Sequence, residues 1–379
     1  MIKVLHVIPS LDRKSGGPAQ VIWDYIEGSK TQIEYQICTN REGLNNQDFN
    51  QLSEKHQIPI HHFDYLGTHS TKFSFSLFFW FFKNYKQFDV IHIHAGFSLT
   101  SEFVGLFCRI LGIPFIFRPL GTLSPYSISA GNSLFKNVFL PLEKMLLRNA
   151  FIVHCTSPQE EKDVYLIEPN CNSVIIPPPI LFSENKKESL KVKNNQEFKL
   201  GFLSRIHPKK NIEFIFELLI KLPTVKLIIA GSGDETYLHQ LKELILEKSL
   251  ANQIEFRGFL SGESKRQFFS EIDWMVLPSF HENFSVASAE SLGYGIPVLS
   301  STFVDATDFG ESNGIIRLEL EQEKWIETIH EIQNESAEIY TQRQTEAILY
   351  AKMHFSKSVV MDKLITLYQS IKRKTKTLE

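Results

Sequence analysis

The sequence lacks the features that announce several common functions. It has four cysteines in 379 residues, Cys38, Cys108, Cys155 and Cys171, far apart and without a C-x-x-C pair. That spacing excludes a zinc knuckle and a disulfide-stapled scaffold, and it fits a reducing cytosol. Charge of either sign is not in excess: 40 Lys+Arg against 43 Asp+Glu leave a net charge of -3. Nothing in that balance draws nucleic acid or an anionic membrane to the whole molecule, so any phosphate must be held locally. No Asp-x-Asp pair stands ready to hold a divalent ion on a diphosphate, and the histidines do not fall at metal-site spacing along the chain. Nor is there an apolar run of the ~20 residues needed to span a bilayer. The nearest approach is Phe73–Phe82, FSFSLFFWFF, followed by Lys83 and Lys86. A run of that length suits either a core helix or a helix at a membrane interface. The first residues, MIKVLHVIPSL, lack the apolar core and small-residue cleavage site of a signal peptide and read as a buried first strand.

What is present is an ordinary globular composition, 43% hydrophobic and 22% charged, in a chain long enough for about two domains. Short β-branched and aromatic runs alternate with helical stretches: Lys3–Ile8, Tyr35–Thr39, Val90–His94, Phe115–Phe117 and Phe151–Thr156. The alternation restarts with Lys199–Leu203, Val225–Ala230, Ile254–Phe256, Trp274–Leu277 and Val298–Ser300. That pattern predicts an α/β protein with two Rossmann-like, doubly wound parallel sheets facing across a cleft. Three prolines, Pro177–Pro179, and a polar lysine-rich stretch mark the boundary. The expected organisation is a first domain over 1–178, a linker over 179–197, a second domain over 198–352 and a terminal helical segment over 353–379. In such sheets ligands lie beyond the carboxyl ends of the strands, so the chemistry should follow directly after strands.

Several segments meet that condition. Gly16 and Gly17 follow the first strand and open a helix, where close backbone approach and free N–H groups suit phosphate, although a plain turn would look the same. Arg205 and Lys210 in LSRIHPKKN follow the first strand of the second half and can close on a diphosphate, one as a bidentate fork and the other as a point charge. Lys209 between them reads as an ordinary solvated lysine. Glu282 and Glu290 in HENFSVASAESLG follow another strand, with small residues between them that admit close packing of a ligand. His94 ends the run DVIHIHAG and can reach a sugar hydroxyl or phosphate, or it forms a satisfied pair with His92 on one strand face. Arg118, at the end of its own strand before Pro119, is a candidate for substrate contact. Gly231-Ser232-Gly233-Asp234 fails as a dinucleotide fingerprint because Thr236 replaces the third glycine.

With these elements in this order, the sequence resembles the retaining, GT-B-fold glycosyltransferases of family four, also called group 1. The most specific match is the E-x7-E signature, Glu282 and Glu290, supported by Gly16-Gly17, DVIHIHAG, RPLGTLSP, LSRIHPKKN and AGSGDE followed by FRGFLSGE. The resemblance implies a metal-independent hexosyltransferase that uses a UDP-, GDP- or ADP-sugar as donor and no cofactor. The first domain would take a saccharide or lipid-linked acceptor, with Arg118 on the acceptor side, and the second the donor. Arg205 and Lys210 would bind the donor diphosphate, Glu290 the ribose, Glu282 and His94 the transferred sugar, and Gly17 the phosphates from across the cleft. The backbone of Asn283, Phe284 and Ser285 would lie close to the donor, and Ser285 departs from the family, which usually has glycine there. The implied setting is polysaccharide or glycoconjugate biosynthesis in the cytoplasm, with contact at the inner face of the membrane left open and no nucleic acid partner. Two other readings stay open: another GT-B enzyme, such as a nucleotide-sugar epimerase or a phosphorylase, and a non-catalytic nucleotide-sugar-binding protein.

Overall fold

The computed structural model describes residues 1–12, 17–68, 71–129, 133–180, 190–191 and 197–378. Gly16 and most of the linker expected over 179–197 lie outside them. The chain divides into two compact units, one of Met1–Pro179 with the terminal helix Lys357–Leu378, the other Ile180–Ser356.

The first unit is built on seven parallel strands: β1 (Ile2–Ile8), β2 (Ile33–Asn40), β3 (Ile60–Phe63), β4 (Val90–His94), β5 (Phe115–Arg118), β6 (Ile152–Cys155) and β7 (Ser173–Ile175), in the order β3-β2-β1-β4-β5-β6-β7. The second has six, β8 (Phe198–Leu203), β9 (Val225–Ala230), β10 (Ile254–Gly258), β11 (Trp274–Leu277), β12 (Val298–Ser301) and β13 (Ile315–Leu318), in the order β10-β9-β8-β11-β12-β13. Central strands such as VLHVI and WMVL are buried on both faces, as helix-covered parallel strands must be. In each sheet the order reverses beside the first strand, between β1 and β4 and between β8 and β11. These are the switch points where a doubly wound sheet leaves a crevice for ligand.

The helices start and stop where local chemistry tells them to. Ser157 caps the helix Pro158–Ile167 with Pro158 in its first turn, Asp234 caps Glu235–Glu247, and left-handed Gly112 ends Leu99–Leu111. The terminal helix adds Val360, Met361, Leu364, Ile365, Tyr368 and Ile371 to the same core as Val4, Ile22 and Tyr35. Among the described residues no helix is long and apolar enough to cross a membrane. The four cysteines are buried and unbridged.

Candidate functional site

In the second unit the segment after β8 is held from both sides. Ser204 and Ile206 donate backbone N–H groups to Ala230 (3.2 Å) and Ser232 (2.8 Å). A Cβ added at Gly231, whose φ is +139°, would collide with the Ser204 carbonyl, and one at Gly233 with that of Ile206. The two glycines therefore seat a neighbouring backbone, which explains a glycine-rich turn that is no dinucleotide fingerprint. Pro208–Lys210 form one helical turn, and Asn211, at φ 55°, passes the chain into the helix Ile212–Lys221 while its side-chain amide donates to the Pro278 carbonyl (3.1 Å).

That bond leads to the segment after β11. Phe280 N–H donates to the Lys209 carbonyl (3.0 Å), Glu282 N–H to Phe303 (2.9 Å), and Asp305 N–H to the Glu282 carbonyl (3.2 Å). Glu282 is thus fixed by backbone, with its carboxylate against the buried Lys210 ammonium. Burial, helped by the charges of Lys209 and Arg205, pushes the Lys210 pKa down to about 7. Burial together with Lys209 and Lys210 pushes His281 down to about 4. Arg205 is exposed, but Lys209 is half-buried rather than the solvated lysine its sequence context suggests. Asn283 is half-buried and Phe284 packs edge-on against Phe355. Ser285 is the N-cap of the helix Val286–Gly293, accepting from Ser288 N–H at 3.2 Å, so the departure from glycine has a local structural use. Glu290, on that helix, pairs with Lys265 at 2.5 Å. Arg205, Lys210, Glu282, Asn283, Phe284, Ser285 and Glu290 therefore all belong to this unit, around the ends of β8 and β11.

Gly17, His94 and Arg118 belong to the first unit. Gly17 opens the helix Gly17–Ser29 after β1. His94 and Arg118 are register partners at the ends of β4 and β5, and both side chains are buried. His94 Nε2 shares a proton with Nδ1 of His6, at 2.8 Å, on the far side of the switch point. Beside them runs a chain whose proton positions are dictated. His154 Nε2 must donate to the Ile176 carbonyl (2.7 Å), so its Nδ1 accepts from His92 Nε2 (3.3 Å) and His92 Nδ1 accepts from the Tyr368 hydroxyl (2.9 Å). Burial first, and then neighbouring positive charge including Arg118, holds all four imidazoles below their ordinary pKa. Arg118 stacks over the Tyr25 ring at 5.2 Å, and its Nε and Nη1 have no hydrogen-bond partner.

The loops beyond these strands are strained and carboxylates hold them. Ala95 and Phe97 have φ of +70° and +52°, and Leu120 +64°. Glu143 accepts from the Phe97 N–H, while Glu160 accepts from the N–H groups of Gly121 (2.5 Å) and Thr156 (2.6 Å). His6, His154, Glu143 and Glu160 were not singled out from the sequence. His6 and His154 left a usable signal, each a polar residue inside an apolar run, VLHVI and IVHC. His6, His92 and His94 could together surround a metal ion, but the Arg118 guanidinium beside them opposes a cation there.

The profile of the family Glycosyl transferases group 1 matches residues 183–309, and that of the Glycosyl transferase 4-like domain matches 16–170. An O-antigen biosynthesis glycosyltransferase of Escherichia coli, WclY, is 31% identical over 101 residues, covering 27% of this chain and 28% of its own. The alpha-monoglucosyldiacylglycerol synthase of Streptococcus pneumoniae is 26% identical over 231 residues, covering 56% and 52%. The chain thus spans between about a quarter and a half of these relatives' length. HepE of Anabaena, solved with UDP and glucose, superposes with a TM-score of 0.76 at 18% identity, covering 98% of this chain and 100% of that one, and so shares its fold. Both doubly wound sheets of the GT-B architecture are present, each with its own family profile upon it, and the chain belongs to the group 1 glycosyl transferases.

Proposed function

We propose that the protein transfers a hexose from a nucleotide-sugar to a saccharide or lipid-linked acceptor, with retention of configuration and without a metal ion. The observation that carries this reading is the buried Lys210 against Glu282, flanked by Lys209 and Arg205, at the switch point of the second sheet. A diphosphate is the ligand whose charge this cluster matches. When it enters, its oxygens share the Lys210 ammonium and Arg205 closes on them as a fork. Glu282 is then released from Lys210 to accept from hydroxyls of the transferred sugar. Glu290 accepts from the ribose, exchanging its Lys265 contact. Gly17, at the first turn of its helix, offers backbone N–H to the phosphates.

His94 and Arg118 serve the transferred sugar and the acceptor. His94 is held neutral, so it presents one donor or one acceptor to a hydroxyl rather than a cation. The bond from the anomeric carbon to the phosphate oxygen breaks as the bond to the acceptor oxygen forms on the same face. The acceptor proton passes to the departing phosphate, whose charge the cationic cluster stabilises. Relatives named for O-antigen and glycolipid synthesis support a saccharide or lipid-linked acceptor, and HepE with UDP supports a uridine donor.

The test is a thermal-shift panel of UDP-, GDP- and ADP-sugars with and without EDTA, followed by product analysis. One nucleotide series should stabilise the protein by mass action in EDTA as well as in its absence. No stabilisation by any series would overturn the reading, and stabilisation lost with EDTA would overturn its metal-free form.

A further inference from the structure

The helix Phe75–Asn84 divides its aromatic residues between two environments. Leu77, Phe78 and Phe81 are buried, and Phe78 meets Phe73 and Phe103 at 5.0 and 5.4 Å between ring centres. Phe75, Phe79 and Phe82, at the spacing i, i+4, i+7, face out and are 70%, 62% and 54% exposed. Leu66, 64% exposed, is clipped by paired backbone bonds to Phe73, just ahead of this helix. A single exposed apolar side chain needs no explanation, but four such residues on one helix and the segment leading into it do.

The free charge within this segment is positive, and the exposed Asp64 that flanks it beside Leu66 is paired with Arg41 at 3.1 Å. From Tyr65 to Phe88 there is no Asp or Glu, and of the lysines there Lys72 is turned inward onto Glu42. Lys83 and Lys86 remain at the carboxyl end of the face, with the Lys83 ammonium 4.1 Å over the Phe79 ring. An apolar helical stripe with two lysines at its carboxyl end, and with its one flanking carboxylate, Asp64, paired with Arg41, complements an anionic phospholipid surface, with rings among the acyl chains and ammonium groups at the phosphates. We infer that this face is a bilayer-docking surface that seats the first unit on anionic membranes. The inference goes beyond the proposed transfer reaction and does not depend on it.

The experiment is flotation of the full chain with vesicles of phosphatidylcholine alone and of phosphatidylcholine with 30% phosphatidylglycerol, in low and high salt. The wild type should float with the anionic vesicles at low salt. Phe75, Phe79 and Phe82 replaced together by serine should weaken this about tenfold or more, and K83E/K86E should remove the preference for phosphatidylglycerol. Phe79→Trp should be quenched by brominated lipid. Because all five side chains lie outside the proposed donor site, nucleotide-sugar stabilisation should be unchanged in every variant, which separates this test from that of the transfer reaction. No flotation of the wild type, equal flotation of the serine variant, or a dimer that the serine variant abolishes without any lipid binding would each overturn the proposal.

Discussion

The two sheets share one strand order, yet the polar groups at their switch points are managed in opposite ways. In the second unit charge is kept: a buried ammonium lies against a carboxylate, with a guanidinium exposed beside it. In the first unit the charge is a single buried guanidinium, Arg118, and the four imidazoles beside it are held neutral and linked to one another, to a tyrosine and to a backbone carbonyl. The difference teaches that a repeated fold fixes where a ligand lies, while local side chains decide whether the site meets anions or hydroxyls. A diphosphate calls for the first arrangement, and an uncharged sugar, which an imidazolium would contact less selectively, for the second.

The comparison breaks most visibly at Lys210. Replacing it by alanine should lower kcat/KM by about 10²–10³-fold, the usual consequence of losing one buried donor to developing charge, while R118M leaves nucleotide-sugar stabilisation intact. Loss of that stabilisation in R118M would mean that the two sites are not separable as drawn. Next in size is backbone packing. Gly231→Ala should destabilise the second unit by about 2–4 kcal/mol, because it adds a clash with backbone to a disallowed φ. In the first unit Gly96→Ala meets only side-chain atoms of Thr122 and Glu143, which can move, and should cost about 1–2 kcal/mol. Denaturant melts of the two variants would rank them.

Smaller but sharper is the pH dependence, where the units should slope in opposite directions. Folded Lys210 binds its proton less tightly than in the unfolded chain, so from about pH 7 upward the second unit gains stability until the unfolded lysine also titrates. In the first unit Glu102 stands against Glu143. Burial first, and then mutual repulsion, raises Glu102 to about 10, and burial raises Glu143. The folded form there holds protons that the unfolded chain has released, so stability present below about pH 4.5 is lost as pH rises through the folded values. Glu102→Gln should flatten that fall and Lys210→Met the opposing rise, each by about 1 kcal/mol per pH unit. Melting curves between pH 5 and 9 measure both slopes.

Much of this was legible in the sequence. Ten strands are announced by their apolar runs, and the candidate residues of the second unit follow directly after such runs. The strands without a clear signal, β3, β7 and β13, are short and half-buried, and all three are sheet edges, where one side lacks a neighbour and the apolar pattern fades. The Lys210–Glu282 contact joins residues far apart in sequence, and no local pattern encodes it. The histidine network is harder still, because it is assembled from β1, β4, β6 and the terminal helix. Only the register that places His6 beside His92 and His94 beside Arg118 brings these groups together.

The Tyr368–His92 hydrogen bond joins residues 276 positions apart, and the helix that carries it is synthesised only after the whole of the second unit. On the ribosome, the first seven strands emerge with part of their apolar face and the His92 acceptor uncovered. They must wait for all of the second unit to be translated, on the order of ten seconds or more at ordinary elongation rates, before Val360, Leu364 and Tyr368 arrive. A nascent chain of this design is a natural client for a holding chaperone during that interval, and a stop codon before residue 357 should leave an insoluble product although it spares nearly every residue of both proposed sites.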